Sequence, residues 1–402
     1  MKRISALLCA LLLLFTGCAA EPAASSSSGE PPVSDTEIRE PAAPTVAHLM
    51  VAGDMMSHMP LTKAAYRSDT GTYDYSPMLR DPAGQLAHAD YAVVNLETVL
   101  ADGPYSGYPR FNSPAGLAES AGSIGFDLFS TANNHSYDQG FSGVCHTLDA
   151  LDALGIAHVG SYRSLEERTA NHGIYVADVG GISVAFLSYT YGLNGFRMKE
   201  DQAFAVNVFN RDYYTTLADP DYAAMAADME AARALDTDLI AVLMHWGTEY
   251  QNSPNHYQTS MAEFLVQQGA DLILGGHPHV LQPYETISAV TPEGETRQGF
   301  VCYSLGNFLS NQKDAPARVT AILDLELTKD PISEKTTLTD VRYTPYYMFH
   351  NGTRHALMDI HAALDDFAAG GGRISSDTAS QLEAALSHCH TILGADGDKP
   401  SF

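Results

Sequence analysis

Short apolar runs recur along this chain, and nearly every one stops at a polar, ligand-type residue. Val46 to Ala52 stops at Gly53-Asp54, Tyr91 to Val94 at Asn95-Leu96-Glu97, and Phe126 to Ala132 at Asn133-Asn134-His135. Asp238 to Met244 runs into His245-Trp246-Gly247, and Leu272 to Leu274 into Gly275-Gly276-His277-Pro278-His279. Gly299 to Tyr303 runs into Ser304-Leu305-Gly306-Asn307, and Ile182 to Tyr189 is a further run. Such short runs, β-branched or leucine-rich and bounded by turn formers, predict buried strands. Helical periodicity fills several gaps between them, at Phe141 to Leu154, Asp221 to Leu235 and Ser260 to Gln268. Strands alternating with helices predict an α/β architecture, in which ligands gather at the carboxyl ends of the strands. Gly275 and Gly276 let the backbone approach a neighbour closely. In an extended segment His277 and His279 would point to the same side.

Beyond Asn307, Arg318 to Leu327 and Asp340 to Met348 predict strands, and Ala362 to Phe367 and Thr378 to Leu393 predict helices. That region carries no ligand-like cluster; His388 and His390 read as surface residues. The N-terminus reads differently. Met1-Lys2-Arg3, the apolar run Ile4 to Phe15 and Thr16-Gly17-Cys18 make a secretory signal too short to span as a mature helix. Gly17-Cys18 looks like a lipobox, with Cys18 as the lipidated first residue, which would tether the protein to the outer face of the membrane. Glu21 to Thr45 is rich in Ser, Pro, Ala and Glu and reads as a flexible spacer. The expected organisation is a signal peptide over 1–18, a linker over 19–45, one large domain over 46–350 and a helical appendage over 351–402.

Composition narrows the function. The formal charge is −26, from 48 acidic and 22 basic residues, with no basic stripe. Nucleic-acid binding is therefore not expected, and the surface as a whole repels polyanions. Beyond Cys9 and Cys18 in the signal, Cys145, Cys302 and Cys389 remain, an odd number at no metal-ligand spacing; they read as core or free thiols rather than a disulfide framework.

The strand-end residues Asp54, Asn95, Glu97, Asn134, His135, His245, His277 and His279 form a mixed oxygen and nitrogen set without a thiolate. Such a set suits Mn, Fe or Zn better than Ca or Mg. It exceeds the needs of one tetrahedral ion and would serve two ions about 3.5–4 Å apart, bridged by a carboxylate, which act on phosphoryl and acyl centres.

In order and spacing, Gly53-Asp54, Asn95-Leu96-Glu97, Ala132-Asn133-Asn134-His135, His245-Trp246-Gly247-Thr248-Glu249-Tyr250, Gly276-His277-Pro278-His279-Val280-Leu281-Gln282-Pro283 and Tyr303-Ser304-Leu305-Gly306-Asn307-Phe308 resemble the bacterial capsule-synthesis CapA family. That family is associated with poly-γ-glutamate capsules and related to calcineurin-like metallophosphoesterases. The resemblance covers about Val46 to Phe308 and implies a four-layer α/β/β/α sandwich holding one or two divalent ions. It implies metal ligation by Asp54, Glu97 as the bridge, Asn134, His245, His277 and His279, with His135 assisting the leaving oxygen. Met56 stands where the phosphoesterases have the histidine of Asp-x-His, and Glu97 stands in place of an aspartate. His58, two residues further on, is the substitute candidate.

Asn95, Asp138 and Glu249 read as further ligands or as supports to the ligands, Asp138 being equally suited to capping the helix that begins near Gly140. Trp246, Asn112 and Asn307 are candidates for a substrate pocket, with packing and turn formation as the alternatives. Three classes of function compete: a metal-dependent hydrolase on the cell envelope, a non-catalytic accessory subunit of a capsule-polymer synthesis or export complex, and a binding module for the anionic polymer. The charge weighs against the third.

Overall fold

A computed structural model describes residues 43–352 and 354–399 of the chain. The signal peptide, Cys18 and nearly all of the linker lie outside the described residues. The strands are β1 (Thr45–Met55), β2 (Tyr66–Arg67), β3 (Thr72–Tyr73), β4 (Tyr91–Leu96), β5 (Leu128–Ser130), β6 (Ala157–Val159), β7 (Tyr175–Val179) and β8 (Ile182–Thr190). They continue with β9 (Leu239–His245), β10 (Leu272–Gly276), β11 (Leu281–Val290), β12 (Thr296–Leu305), β13 (Asn307–Leu309), β14 (Val319–Lys329), β15 (Thr336–His350) and β16 (His355–Asp359). The helices are α1 (Met59–Ala65), α2 (Arg80–Leu86), α3 (Gly116–Ser123), α4 (Gly140–Leu154), α5 (Leu165–Ala170), α6 (Tyr222–Arg233), α7 (His256–Gln267), α8 (Ile360–Ala368) and α9 (Ser376–Leu393).

Two sheets form the centre. The first runs β16-β15-β14-β1-β4-β5-β6, with β13 paired to β1; the second runs β11-β12-β10-β9-β8-β7. Strands β1, β4, β5 and β6 are mutually parallel, as are β8, β9, β10 and β12. Alternation along each strand sends side chains into two apolar layers. In β1, Ala47, Leu49 and Val51 face the core between the sheets, where they meet Val184, Phe186, Ala241, Leu243, Leu272 and Leu274. Met50 and Ala52 face outward onto α1, α2 and α3 through Leu61, Leu86 and Leu117. On the second sheet Ala185, Leu187, Val242 and Ile273 face α6 and α7 through Met225, Met229, Met261 and Leu265. A strand buried on both faces reads as a continuous apolar run, which is why the sequence announces these strands so clearly. The result is the four-layer α/β/β/α sandwich expected.

The C-terminal region differs in detail from its sequence reading. Besides the two helices it contributes β16, which completes the edge of the first sheet against β15. Ala379, Leu382, Ala385, Cys389 and Leu393 on one face of α9 belong to the core between the sheets. At the end of the molecule away from the site, Asp238 ties the sheets together: it accepts from the Ser183 amide and hydroxyl, both at 2.8 Å, and lies 2.7 Å from Lys329 Nζ at the end of β14.

Candidate metal centre

The carboxyl ends of the parallel strands of both sheets converge. The first sheet brings Asp54 at the end of β1, Asn95 and Glu97 at the end of β4, and Asn133, Asn134 and His135 just after β5. The second brings Tyr191 just after β8, His245 as the last residue of β9, and His277 and His279 just after β10. Two glycines allow the approach. A Cβ on Gly275 would lie 2.0 Å from the Tyr303 carbonyl oxygen, and one on Gly276 would lie 2.5 Å from Asp54 Oδ1. His277 and His279 do not lie in an extended segment: their φ values are +96° and +59°. They converge by turning through left-handed backbone, a strained conformation for a side chain with a Cβ.

Asp54, Glu97, His245, His277 and His279 are all essentially buried. Glu97 Oε1 lies 3.5 Å from His245 Nε2 and 3.9 Å from His279 Nε2. Asp54 Oδ2 lies 3.3 Å from His279 Nδ1 and accepts from the His277 amide at 3.0 Å, while its Oδ1 accepts from Asn95 at 2.8 Å. Asn134 Oδ1 lies 2.9 Å from His245 Nε2. Three overlapping groups of ligand atoms are each within 4.8 Å of one another: Glu97, His245 and His277; Asp54, Glu97 and His279; and Glu249, His277 and His279. Both Glu97 oxygens and the Nδ1 atoms of His277 and His279 are buried without a hydrogen-bond partner. Leaving such groups unsatisfied is costly, and Glu97, His277 and His279 each belong to groups that could hold a divalent cation, so the donor set fits a metal.

The same carboxylates attract positive charge. Burial opposes charge on His279, yet Glu97 and Asp54 hold it protonated up to about 9. Burial and the neighbouring imidazoles push His277 well below the ordinary histidine value. Burial alone would raise the Asp54 carboxyl, but His279, His245 and Asn95 outweigh it and lower it. The buried carboxylates thus draw positive charge into the site.

The remaining sequence candidates divide sharply. Asp138 does not cap α4; its Oδ2 lies 2.6 Å from His135 Nδ1 and accepts from the Phe111 amide. The N-cap of α4 is Gln139. Glu249 is exposed at the rim of the cluster. His58 belongs to none of the three ligand groups; its Nδ1 accepts from the Asn311 amide at 3.2 Å, and its ring meets the edge of Phe111. Burial, with His279 and His135 nearby, pushes its pKa down to about 4. Trp246 does not line a pocket: it is fully buried beneath the site and donates its indole N–H to the Tyr303 carbonyl at 3.0 Å. Asn112 is occupied within its own loop, accepting from the Ala101 amide and donating to the Pro104 carbonyl. Asn307 is likewise buried and donates to the Ala317 carbonyl, the His279 carbonyl and Gln312.

Three site neighbours were missed by the sequence reading. Asn133 donates to Asn95 Oδ1 and the Leu96 carbonyl, holding two strand ends in register. Asn194 bonds both Asn134, at 3.2 Å, and His135, at 3.4 Å. Tyr191 lies 4.5 Å, ring to ring, from His277. Tyr191 was within reach of the strand-end rule; Asn194, in a turn with φ +50°, carries no such signal. From His277, Tyr191 and Glu249 an open cleft of about 820 Å³ extends past Asn210, Tyr257 and Ser260.

Two face-packed sheets and outer helices define a four-layer α/β/β/α sandwich with a buried His/Asp/Glu cluster across its strand ends. The chain belongs to the family described as bacterial capsule synthesis protein PGA_cap, whose profile matches residues 48–312. It is 27% identical over 293 residues to the capsule biosynthesis protein CapA of Bacillus anthracis, covering 69% of this chain and 63% of that protein. It is 30% identical over 208 residues to the PGA biosynthesis protein CapA of Bacillus subtilis, covering 52% of this chain and 48% of that protein. The chain thus spans less than two thirds of the length of either relative. Among solved structures, a calcineurin-like phosphoesterase of Bacillus subtilis superposes with a TM-score of 0.42 at 12% identity, over 86% of this chain and 97% of that one.

Proposed function

We propose that this protein is a metal-dependent hydrolase of cell-envelope capsule-polymer synthesis, working on a phosphoester or related anionic substrate beside membrane-bound synthesis or export subunits. One observation carries the reading: Glu97, with both oxygens buried and unpartnered, stands between His245 and His279 from the opposite sheet. One or two Mn, Fe or Zn ions held by Asp54, Glu97, Asn134, His245, His277 and His279 would supply Lewis acidity. The chain's own residues do the rest. Asn95 and Asn133 fix the two carboxylate-bearing strand ends. Tyr191 and Glu249 border the cleft through which substrate enters. Asp138 accepts the Nδ1–H of His135 and supports the doubly protonated ring, whose Nε2–H is the proton that can pass to a departing oxygen. The CapA names of the two Bacillus relatives support the capsule setting, and Gly17-Cys18 supports attachment to the outer face of the membrane through lipidated Cys18.

The test is elemental analysis and phosphodiester turnover on the purified protein beside Glu97→Gln. Wild type should carry a transition metal and turn over the ester, and the variant should lose both. A metal-replete wild type that hydrolyses no ester would favour the accessory-subunit reading instead.

A further inference from the structure

A second pocket, of about 620 Å³, lies where α1 and α2 meet the β16 edge of the first sheet, and it shares no residue with the metal centre. Four arginines line it, Arg67, Arg80, Arg354 and Arg373, against two carboxylates, Asp74 and Asp81. In a chain with 48 acidic and 22 basic residues such a local surplus of cations stands out. The carboxylates are already engaged: Arg67 pairs with Asp74 at 3.1 Å, and Arg373 pairs with Asp81. Among the described residues Arg80 and Arg354 form no ion pair, and the Arg354 guanidinium rests 5.8 Å over the Phe349 ring. His355, also lining the pocket, is only 9% exposed, and its Nδ1 is buried with no hydrogen-bond partner. The floor is apolar, made by Ala64, Met78, Ala356 and Leu357.

We propose that this pocket is a binding site for an organic anion that carries carboxylate groups on an aliphatic chain. The guanidinium fork matches a carboxylate through two parallel hydrogen bonds. Two arginines without ion pairs provide donors, while the aliphatic floor receives methylene groups that inorganic phosphate lacks. The overall negative surface repels anions, so a locally positive pocket selects where one docks. The inference does not depend on hydrolysis at the metal centre.

Calorimetric titration of the purified chain tests it, with glutarate and citrate in one arm and inorganic phosphate in the other. The carboxylates should bind with an affinity that falls as NaCl is raised. An Arg80→Ala/Arg354→Ala double variant should bind them at least about tenfold more weakly with an unchanged Tm. Arg80→Lys/Arg354→Lys should recover only part of the loss, because the charge returns without the fork. Absence of carboxylate binding, binding of phosphate alone, or a double alanine variant that binds like wild type would each overturn the assignment. So would carboxylate binding that Glu97→Gln abolishes and the double alanine variant retains, since that places it at the metal centre.

Discussion

His135 Nδ1 lies 2.6 Å from Asp138 Oδ2, three residues further on and buried in the turn ahead of α4. The same oxygen accepts the Phe111 amide, and the Phe111 ring stands edge-on to the imidazole, 4.7 Å away. An imidazole so fixed has one nitrogen committed and one available. His135→Ala should therefore keep its metal and its fold and lose roughly 10²–10⁴-fold in turnover of an ester with a poor leaving group. The loss should shrink with nitrophenyl esters, whose leaving group departs without a proton. Equal losses on both substrates, with a fall in Tm, would reduce His135 to a prop for its loop.

Metal removal should destabilise the protein. A ligand present at a hundred times its Kd stabilises the state that binds it by about 2.7 kcal/mol. Chelator should lower Tm, and Mn or Zn should restore it in wild type and in His135→Ala. Asp54→Ala and His277→Ala should show no such recovery. A Tm in wild type that ignores both chelator and cation would remove the metal from the site.

Trp246→Ala should cost about 3–5 kcal/mol of stability, because the indole is fully buried and its N–H holds the Tyr303 carbonyl. Urea denaturation measures this. A variant of wild-type stability with impaired turnover would return Trp246 to the substrate pocket.

The Asp238 clasp predicts a pH dependence. Burial alone would raise its carboxyl, but Lys329 and Ser183 outweigh it and hold it below the usual 3.8. A carboxyl lowered by folding contributes stability that is complete above its unfolded pKa and is lost as pH falls through the folded one. The Tm difference between wild type and Asp238→Asn should be full at about pH 6 and close in the range below about pH 4. A difference that persists unchanged into strong acid would show that the clasp does not act through this ionisation.

Lipid attachment is tested at Cys18. Cys18→Ser should be released from the membrane fraction or left unprocessed. Retention and processing like wild type would exclude the lipid anchor.

Much of this molecule was legible because its central strands are buried on both faces. Runs such as Leu239 to Met244 and Leu272 to Gly276 are apolar throughout, so the first polar residue after each marks a strand end. That is how the sequence pointed to Asp54, Glu97, His245, His277 and His279 as neighbours. What stayed hidden depends on tertiary partners. The turn at His277 and His279 is set by Gly276 packing on Asp54 and by positive φ, neither of which periodicity reports. Asn194 reaches the site from a loop, and Asn112 and Asn307 are consumed by carbonyls and amides brought near by folding. Short strands such as β6 and β16 carry too few residues to show a period.

The clustered donors are divided by origin: Asp54, Glu97 and Asn134 stand on the first sheet, and His245, His277 and His279 on the second. A slip of the sheets across the apolar layer between them would be resisted at the site end, where β13 follows β12 after Gly306 and pairs with β1. It would nevertheless part the carboxylates from the imidazoles within a fraction of the 3.5–3.9 Å that now separates Glu97 from its histidines. A cation held there would therefore bind with an affinity that depends on the alignment of the two sheets. Substitutions in that layer far from any donor, at Phe186 or Leu325 for example, are places where evolution can tune the centre without touching it.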